Sequence, residues 1–126
     1  MTITTFQIAT LAGALTDLGE LATPVIEPRS TYQPYAVSHD LGNGMVRGSG
    51  YPVATWTWDF ISAAERTMLR TYCTGRSSRV QIATKDDSLA YKAYTAVMVW
   101  PEIEEHFAGR RLNFTIEFHT LVEIGA

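Results

Sequence analysis

Apolar and polar residues alternate from Val53 to Phe60. Ala54, Trp56, Trp58 and Phe60 form one face, and Thr55, Thr57 and Asp59 the other. A period of two predicts a strand with one side buried. A longer alternation runs from Arg111 to Ile124. There Leu112, Phe114, Ile116, Phe118, Val122 and Ile124 share a face that only Thr120 interrupts, while Arg111, Asn113, Thr115, Glu117, His119 and Glu123 lie opposite, joined by Leu121. A slip of one position would expose the whole apolar set, so the register is firmly specified. Two further strands are predicted between these runs. Arg79 to Thr84 turns Val80 and Ile82 inward. Tyr91 to Trp100 is apolar on both sides, through Tyr91, Ala93, Thr95, Val97 and Val99 or through Tyr94, Ala96, Met98 and Trp100. Such a strand suits the centre of a sandwich or a subunit interface.

Local signals link these runs. A strand from about Tyr35, with Tyr35, Val37, His39 and Leu41 on one side, reaches Gly42-Asn43-Gly44. Gly and Asn tolerate the positive φ of a tight turn, so a hairpin is predicted into Met45-Val46-Arg47. Gly48, Ser49 and Gly50 read as a flexible break, and Pro52 as a strand start or edge. Ser62-Ala63-Ala64-Glu65 fits a capping box, opening a helix over about 62–74 that Gly75 is placed to end. Lys85 to Ser88 is a polar loop. Pro101 stops the strand before it, and Glu102, Glu104 and Glu105 begin an acidic loop running to Gly109.

The first 30 residues differ from the rest. Thr2 to Thr10 alternates weakly, Ala12 to Leu21 reads as a short helix weakened by Gly13 and Gly19, and Pro24 and Pro28 interrupt regular structure. Two readings stand: a first strand with a loop, or an arm that orders on a neighbouring subunit. The expected fold is α+β and mainly antiparallel β, a sandwich or barrel-like core with one inserted helix. Residues 1–30 are an arm or irregular segment and 31–126 the β-rich domain. The expected core comprises Trp56, Trp58, Phe60, Leu69, Phe114, Ile116 and Phe118.

Composition narrows the function classes. The chain has 126 residues, enough for one domain, with 46% hydrophobic and 18% charged residues. A net charge of −3 argues against nucleic acid as a specific partner, although Arg66, Arg70, Arg76 and Arg79 form a local basic group, read as a solvated face. The single cysteine, Cys73, excludes an internal disulfide and a multi-cysteine zinc site, and reads as a small core residue. There is no basic start followed by an apolar block and no run of about 18 apolar residues, so neither a secretion signal nor a membrane partner is expected.

Signals for chemistry are weak. His39, His106 and His119 fall in no metal-binding spacing. His119 and Glu117 share a strand face, where a surface polar pair is the ordinary outcome. Ser49 lacks the glycine spacing of a nucleophile elbow, and phosphate-binding glycine patterns are absent. No catalytic residue, metal or cofactor is assigned, and the protein is expected to be non-enzymatic. The two-sided strands, the glycine hairpin and the N-terminal stretch suit self-association.

The order of features resembles small tail proteins of long-tailed bacteriophages. The similarity is to the minor tail protein M family of lambda-like phages, the related distal tail proteins and tail tube proteins. It rests on Gly42, Gly44 and Arg47 of the hairpin, Trp56, Trp58 and Phe60 of the strand, and Leu69 and Gly75 of the helix and its turn, and it spans about residues 32–122. The resemblance implies a ring-forming virion component, often a hexamer, made in the host cytoplasm and placed in the tail. Its partners are itself and other tail proteins, and DNA passes through the channel without specific recognition. It reaches no carbohydrate-binding-like second domain, which favours a structural ring or adaptor. Gly42, Asn43, Gly44, Met45, Arg47, Tyr51, Arg110 and Arg111 are the candidate interface residues, and Glu102, Glu104 and Glu105 candidates for an acidic channel wall. The alternatives are a tail terminator or head-decoration protein, or a ligand-binding β-barrel lined by Trp56, Trp58, Tyr94 and Trp100.

Overall fold

A computed structural model describes residues 5–35, 37–107 and 110–124, without the side chains of His106 and Phe107. The predicted places of Thr2, Ala36 and Gly109 lie outside these residues. The fold is mainly antiparallel β with one helix. Strands β1 (Gln7–Thr10), β2 (Thr16–Asp17) and β3 (Arg29–Gln33) come first, followed by β4 (Val37–Asp40) and β5 (Val46–Ser49). Strand β6 (Val53–Ser62) leads directly into helix α1 (Ala63–Arg70). Strands β7 (Ser77–Lys85), β8 (Tyr91–Val99), β9 (Glu105–Phe107) and β10 (Arg110–Glu123) complete the chain.

One sheet runs in the order β2-β1-β7-β8-β10-β6-β3, with β9 paired to the start of β10, while β4 and β5 pair only with each other among the described residues. No pairing closes this path into a barrel among the described residues. The sheet nevertheless folds over its own core. Strands β6 and β7 are separated by β8 and β10 in the sheet, yet Trp56 Nε1 on β6 donates to Thr84 Oγ1 on β7 at 2.9 Å. Phe6, just before β1, lies edge-on to Trp56 with ring centroids 5.6 Å apart. Trp58 Nε1 donates to the Ile26 carbonyl at 2.7 Å, so both central indoles bury their rings and satisfy their N–H groups.

Six of the seven expected core residues are buried, namely Trp56, Trp58, Leu69, Phe114, Ile116 and Phe118. Phe60 is the exception. It is 49% exposed, and Ile61 takes the inward place instead. The alternation fails beside Asn113, which has a φ of +47° on the partner strand β10. Its ring is partly covered by Arg110, whose Cζ sits 5.3 Å from the centroid. On β8, Tyr94, Ala96 and Met98 are the buried face, continued by Trp100 just beyond it.

Strand β10 departs from its predicted phase once more. Its pairing with β8 shifts between His119 and Val122, and Thr120 has a φ of +56°. This bulge rotates the following residues, so Leu121 is buried at 2% exposure and Val122 is 47% exposed, the reverse of the simple alternation. Thr120, the residue that interrupted the apolar set, marks the site of the change.

The capping box forms as predicted. Ser62 Oγ accepts from Glu65 N at 3.2 Å, and Glu65 Oε1 accepts from Ser62 N at 3.3 Å. The helix is shorter than expected, ending at Arg70 with Thr71 as its C-cap, so Gly75 does not terminate it. Its carbonyl instead accepts from Arg70 Nη1 at 3.1 Å. Cys73 is buried, and burial raises its thiol pKa.

Residues 5–30 do not form a separate arm. Strand β1 pairs with β7 along its whole length, and Phe6, Ile8, Leu18, Leu21 and Val25 belong to the central apolar cluster. Between them lie β2 and a 3-10 turn at Leu18–Glu20, not a helix over Ala12–Leu21. Strand β3 occupies part of the stretch read as irregular, and β4 begins at Val37. Gly48 and Ser49 lie inside β5, so the expected break reduces to Gly50, with a φ of +86°. The acidic loop is likewise shorter, because Glu105 already belongs to β9. Among the described residues no helix is long and apolar enough to cross a membrane.

Candidate functional site

The candidate interface residues separate into two places. Gly42, Asn43, Gly44, Met45 and Arg47 belong to the β4–β5 hairpin, with Tyr51 beyond it. Leu41 N donates to the Met45 carbonyl at 2.9 Å, closing the loop. Asp40 Oδ1 accepts from Gly42 N at 2.9 Å and Asn43 Oδ1 from Met45 N at 3.1 Å. Gly42 and Gly44 have φ values of +80° and +86°, which a side chain at either position would oppose.

The register gives this hairpin two unlike faces. Val37 opposes Ser49 and His39 opposes Arg47, so these side chains share one face, with Leu41 and Met45 continuing it at the tip. Asp40, Val46 and Gly48 lie on the other. A Cβ at Gly48 would collide with the ring of Tyr35, so Tyr35 covers that second face and not the side of Val37 and His39. Met45 and Val46 are 62% and 66% exposed, and Val37, Leu41 and Tyr51 are also exposed. These exposed apolar side chains gather on a hairpin that has no partner in the main sheet among the described residues.

Arg110 and Arg111 are elsewhere. They pair with Ser62 and Ile61 at the far end of β6 from the hairpin. The ten residues of β6 place the two regions about 30 Å apart along the strand. Arg110 is exposed beside Phe60, whereas Arg111 is largely covered, its Nε 3.5 Å from Glu104 Oε1.

Glu104 anchors a cluster that sequence spacing does not reveal. Arg66 Nη2 donates to Glu104 Oε2 at 2.8 Å, and Trp100 Nε1 donates to the same oxygen at 3.3 Å. Arg70 Cζ and Arg66 Cζ lie 4.4 and 5.4 Å from the Trp100 ring centroid. Arg76 donates to the Trp100 carbonyl and pairs with Glu102 at 2.8 Å. Three of the four arginines read as a solvated group therefore converge on one tryptophan, and Arg79 stays exposed on β7. The Arg66 hydrogen bond, against the opposing effect of burial, lowers the Glu104 pKa to about 2. Glu104 is thus neutralised within the subunit and is not a free member of an acidic wall. An open cleft of about 580 Å³ lies beside Arg70, Arg76, Trp100 and Glu102.

The proposed aromatic ligand site does not assemble. Trp56, Trp58 and Tyr94 are buried packing residues, and Trp100 is covered by the arginines. A different hollow, of about 370 Å³, opens beside β1 and β2. Phe6, Leu18, Val25 and Tyr91 give it an apolar floor, and Asp17, Glu20 and Glu27 stand around it. All its lining residues except Tyr91 of β8 come from the segment before β3, where the weak alternation and two prolines hide any common face. His119 Nε2 lies 3.1 Å from Glu117 Oε1, with both side chains about half exposed on the sheet surface, as expected of a solvated pair. Among the described residues no group of three His, Cys, Asp or Glu side chains is placed to hold a metal. Comparison with family models, with curated proteins and with solved structures gives no match to this chain.

Proposed function

We propose that this protein is a non-enzymatic structural subunit of a bacteriophage tail that assembles with copies of itself into a ring, at the distal or minor-tail position or in the tube. The observation that carries the reading is the β4–β5 hairpin. It has no strand partner in the main sheet among the described residues, and it presents Val37, Leu41, Met45 and Val46 to solvent. Such a ribbon is marginal alone and gains stability by packing on another surface. The folded-over sheet supports a sandwich or barrel-like subunit body, and the resemblance of its feature order to tail proteins supports the ring, six copies being the expected number. Other tail proteins are the further partners, and the virion tail is the location.

Light scattering and negative-stain microscopy of the purified protein at rising concentration test this. Rings with a central hole are expected, and removal of residues 41–45 is expected to leave a folded monomer. Equal assembly with and without that loop would remove the hairpin as the contact.

A further inference from the structure

Resting on the self-assembly reading, we infer that the hairpin of one copy seats its Arg47 in the acidic hollow between β1, β2 and the approach to β3 of the next copy. The two surfaces are complementary in charge and in apolar character. On the hairpin, the face bearing Arg47 carries His39, Leu41 and Met45, whereas the hairpin's acid, Asp40, lies on the opposite face beside Val46. Arg47 is exposed and has no carboxylate within 4.0 Å among the described residues.

The hollow offers the converse arrangement. Asp17, Glu20 and Glu27 stand at its edge, and none has a lysine or arginine within salt-bridge distance among the described residues. Asp17 already accepts from Gln7 Nε2 at 2.8 Å, and Glu27 takes only a long 3.4 Å bond from the Tyr91 hydroxyl. Glu20 and Glu27 are the exposed pair free to meet a guanidinium. The floor contains two aromatic rings, Phe6 and Tyr91, edge to face at 5.2 Å. Lys85 Nζ approaches the Tyr91 ring at 5.4 Å, a cation–π contact on that ring from within the subunit. An arginine suits such a place because its methylene stem lies on apolar surface while its head reaches carboxylates. At about 370 Å³ the hollow can take a side chain and its neighbours, not a second domain.

The contact joins two different patches, so it is head-to-tail. It closes into a ring when the rotation between copies allows, in contrast to a two-fold dimer.

Charge reversal in the full chain tests the pairing, with light scattering to find the concentration at which assemblies appear and circular dichroism to follow the fold. Arg47→Glu alone, and Glu20→Lys with Glu27→Lys, are each expected to raise that concentration by about tenfold or more. All three substitutions in one chain are expected to restore it to near the wild-type value. If the wild type assembles and the Arg47 variant assembles equally well, the pairing is wrong while self-assembly stands. Failure of the triple variant to recover, with a native circular dichroism spectrum, also overturns the pairing. A wild type that stays monomeric at every concentration overturns both.

Discussion

Replacing Glu104 with glutamine would leave Arg66 and Arg111 facing a neutral amide in a site where the glutamate side chain is only 19% exposed. Partly buried charges lose more from a missing partner than they gain from being paired. The Glu104 pKa in the fold, about 2, lies below its ordinary 4.5. A lowered carboxylate pKa stabilises the fold fully above the ordinary value, and that stability disappears as pH falls through the folded value. Glu104→Gln is therefore expected to cost on the order of 2 kcal/mol at pH 7, and to lessen the loss of stability between about pH 4.5 and pH 2. Urea midpoints measured across that range check both parts. An acid limb identical to wild type would mean that Glu104 carries none of it. Asp86 remains as a second source, since hydrogen bonds from Ser88 and Lys92 outweigh burial and lower its pKa to about 2. At this scale the core was legible and the cluster was not. Trp56, Trp58, Phe114 and Phe118 announce themselves by alternation. Glu104 meets Arg66 and Trp100 only through the packing of α1 against the loop after β8, and no spacing in the chain encodes that meeting.

Strand β10 shows how far alternation reads an element and where it stops. From Phe114 to Phe118 the inward residues follow the period of two, because β6 pairs with them in an unbroken register. The bulge at Thr120 then inserts a half-step, and Leu121 replaces Val122 in the core. Alternation cannot foresee this, since it assumes one phase for the whole run. Leu121 sitting out of phase and Thr120 breaking the apolar set were the visible signs. Leu121→Ala is expected to cost about 2–4 kcal/mol and Val122→Ala less than about 1 kcal/mol. Chemical denaturation of the two variants compares them directly, and equal losses would place the bulge wrongly. By contrast, the β4–β5 hairpin and the capping box of α1 were legible because each is written locally. Gly42 and Gly44 supply positive φ, and Ser62 and Glu65 are three residues apart.

At the scale of the whole molecule, the segment before β3 decides whether the protein folds. Its weak alternation allowed it to be an arm, because its buried apolar residues are divided between the short strand β1 and the turn and loop after β2 and produce no long periodic face. In the fold Phe6, Ile8, Leu18 and Leu21 all enter the core, and backbone bonds from Leu18 N to Phe6 O and from Val25 N to Leu18 O hold the loops across it. Burying a large apolar side chain contributes about 1.5–3 kcal/mol, so these four contribute on the order of 6–12 kcal/mol. That is comparable to the total stability of about 5–15 kcal/mol for a small domain. Deleting residues 2–22 also strips β1 from β7, leaving the backbone groups of β7 unpaired along one edge. The deletion is therefore expected to abolish the folded state, seen as loss of the near-ultraviolet tryptophan signal and of a cooperative thermal transition. An arm that served only a neighbouring subunit would give the opposite outcome, a folded monomer with native melting that fails only in assembly. The two results are distinguishable in dilute solution.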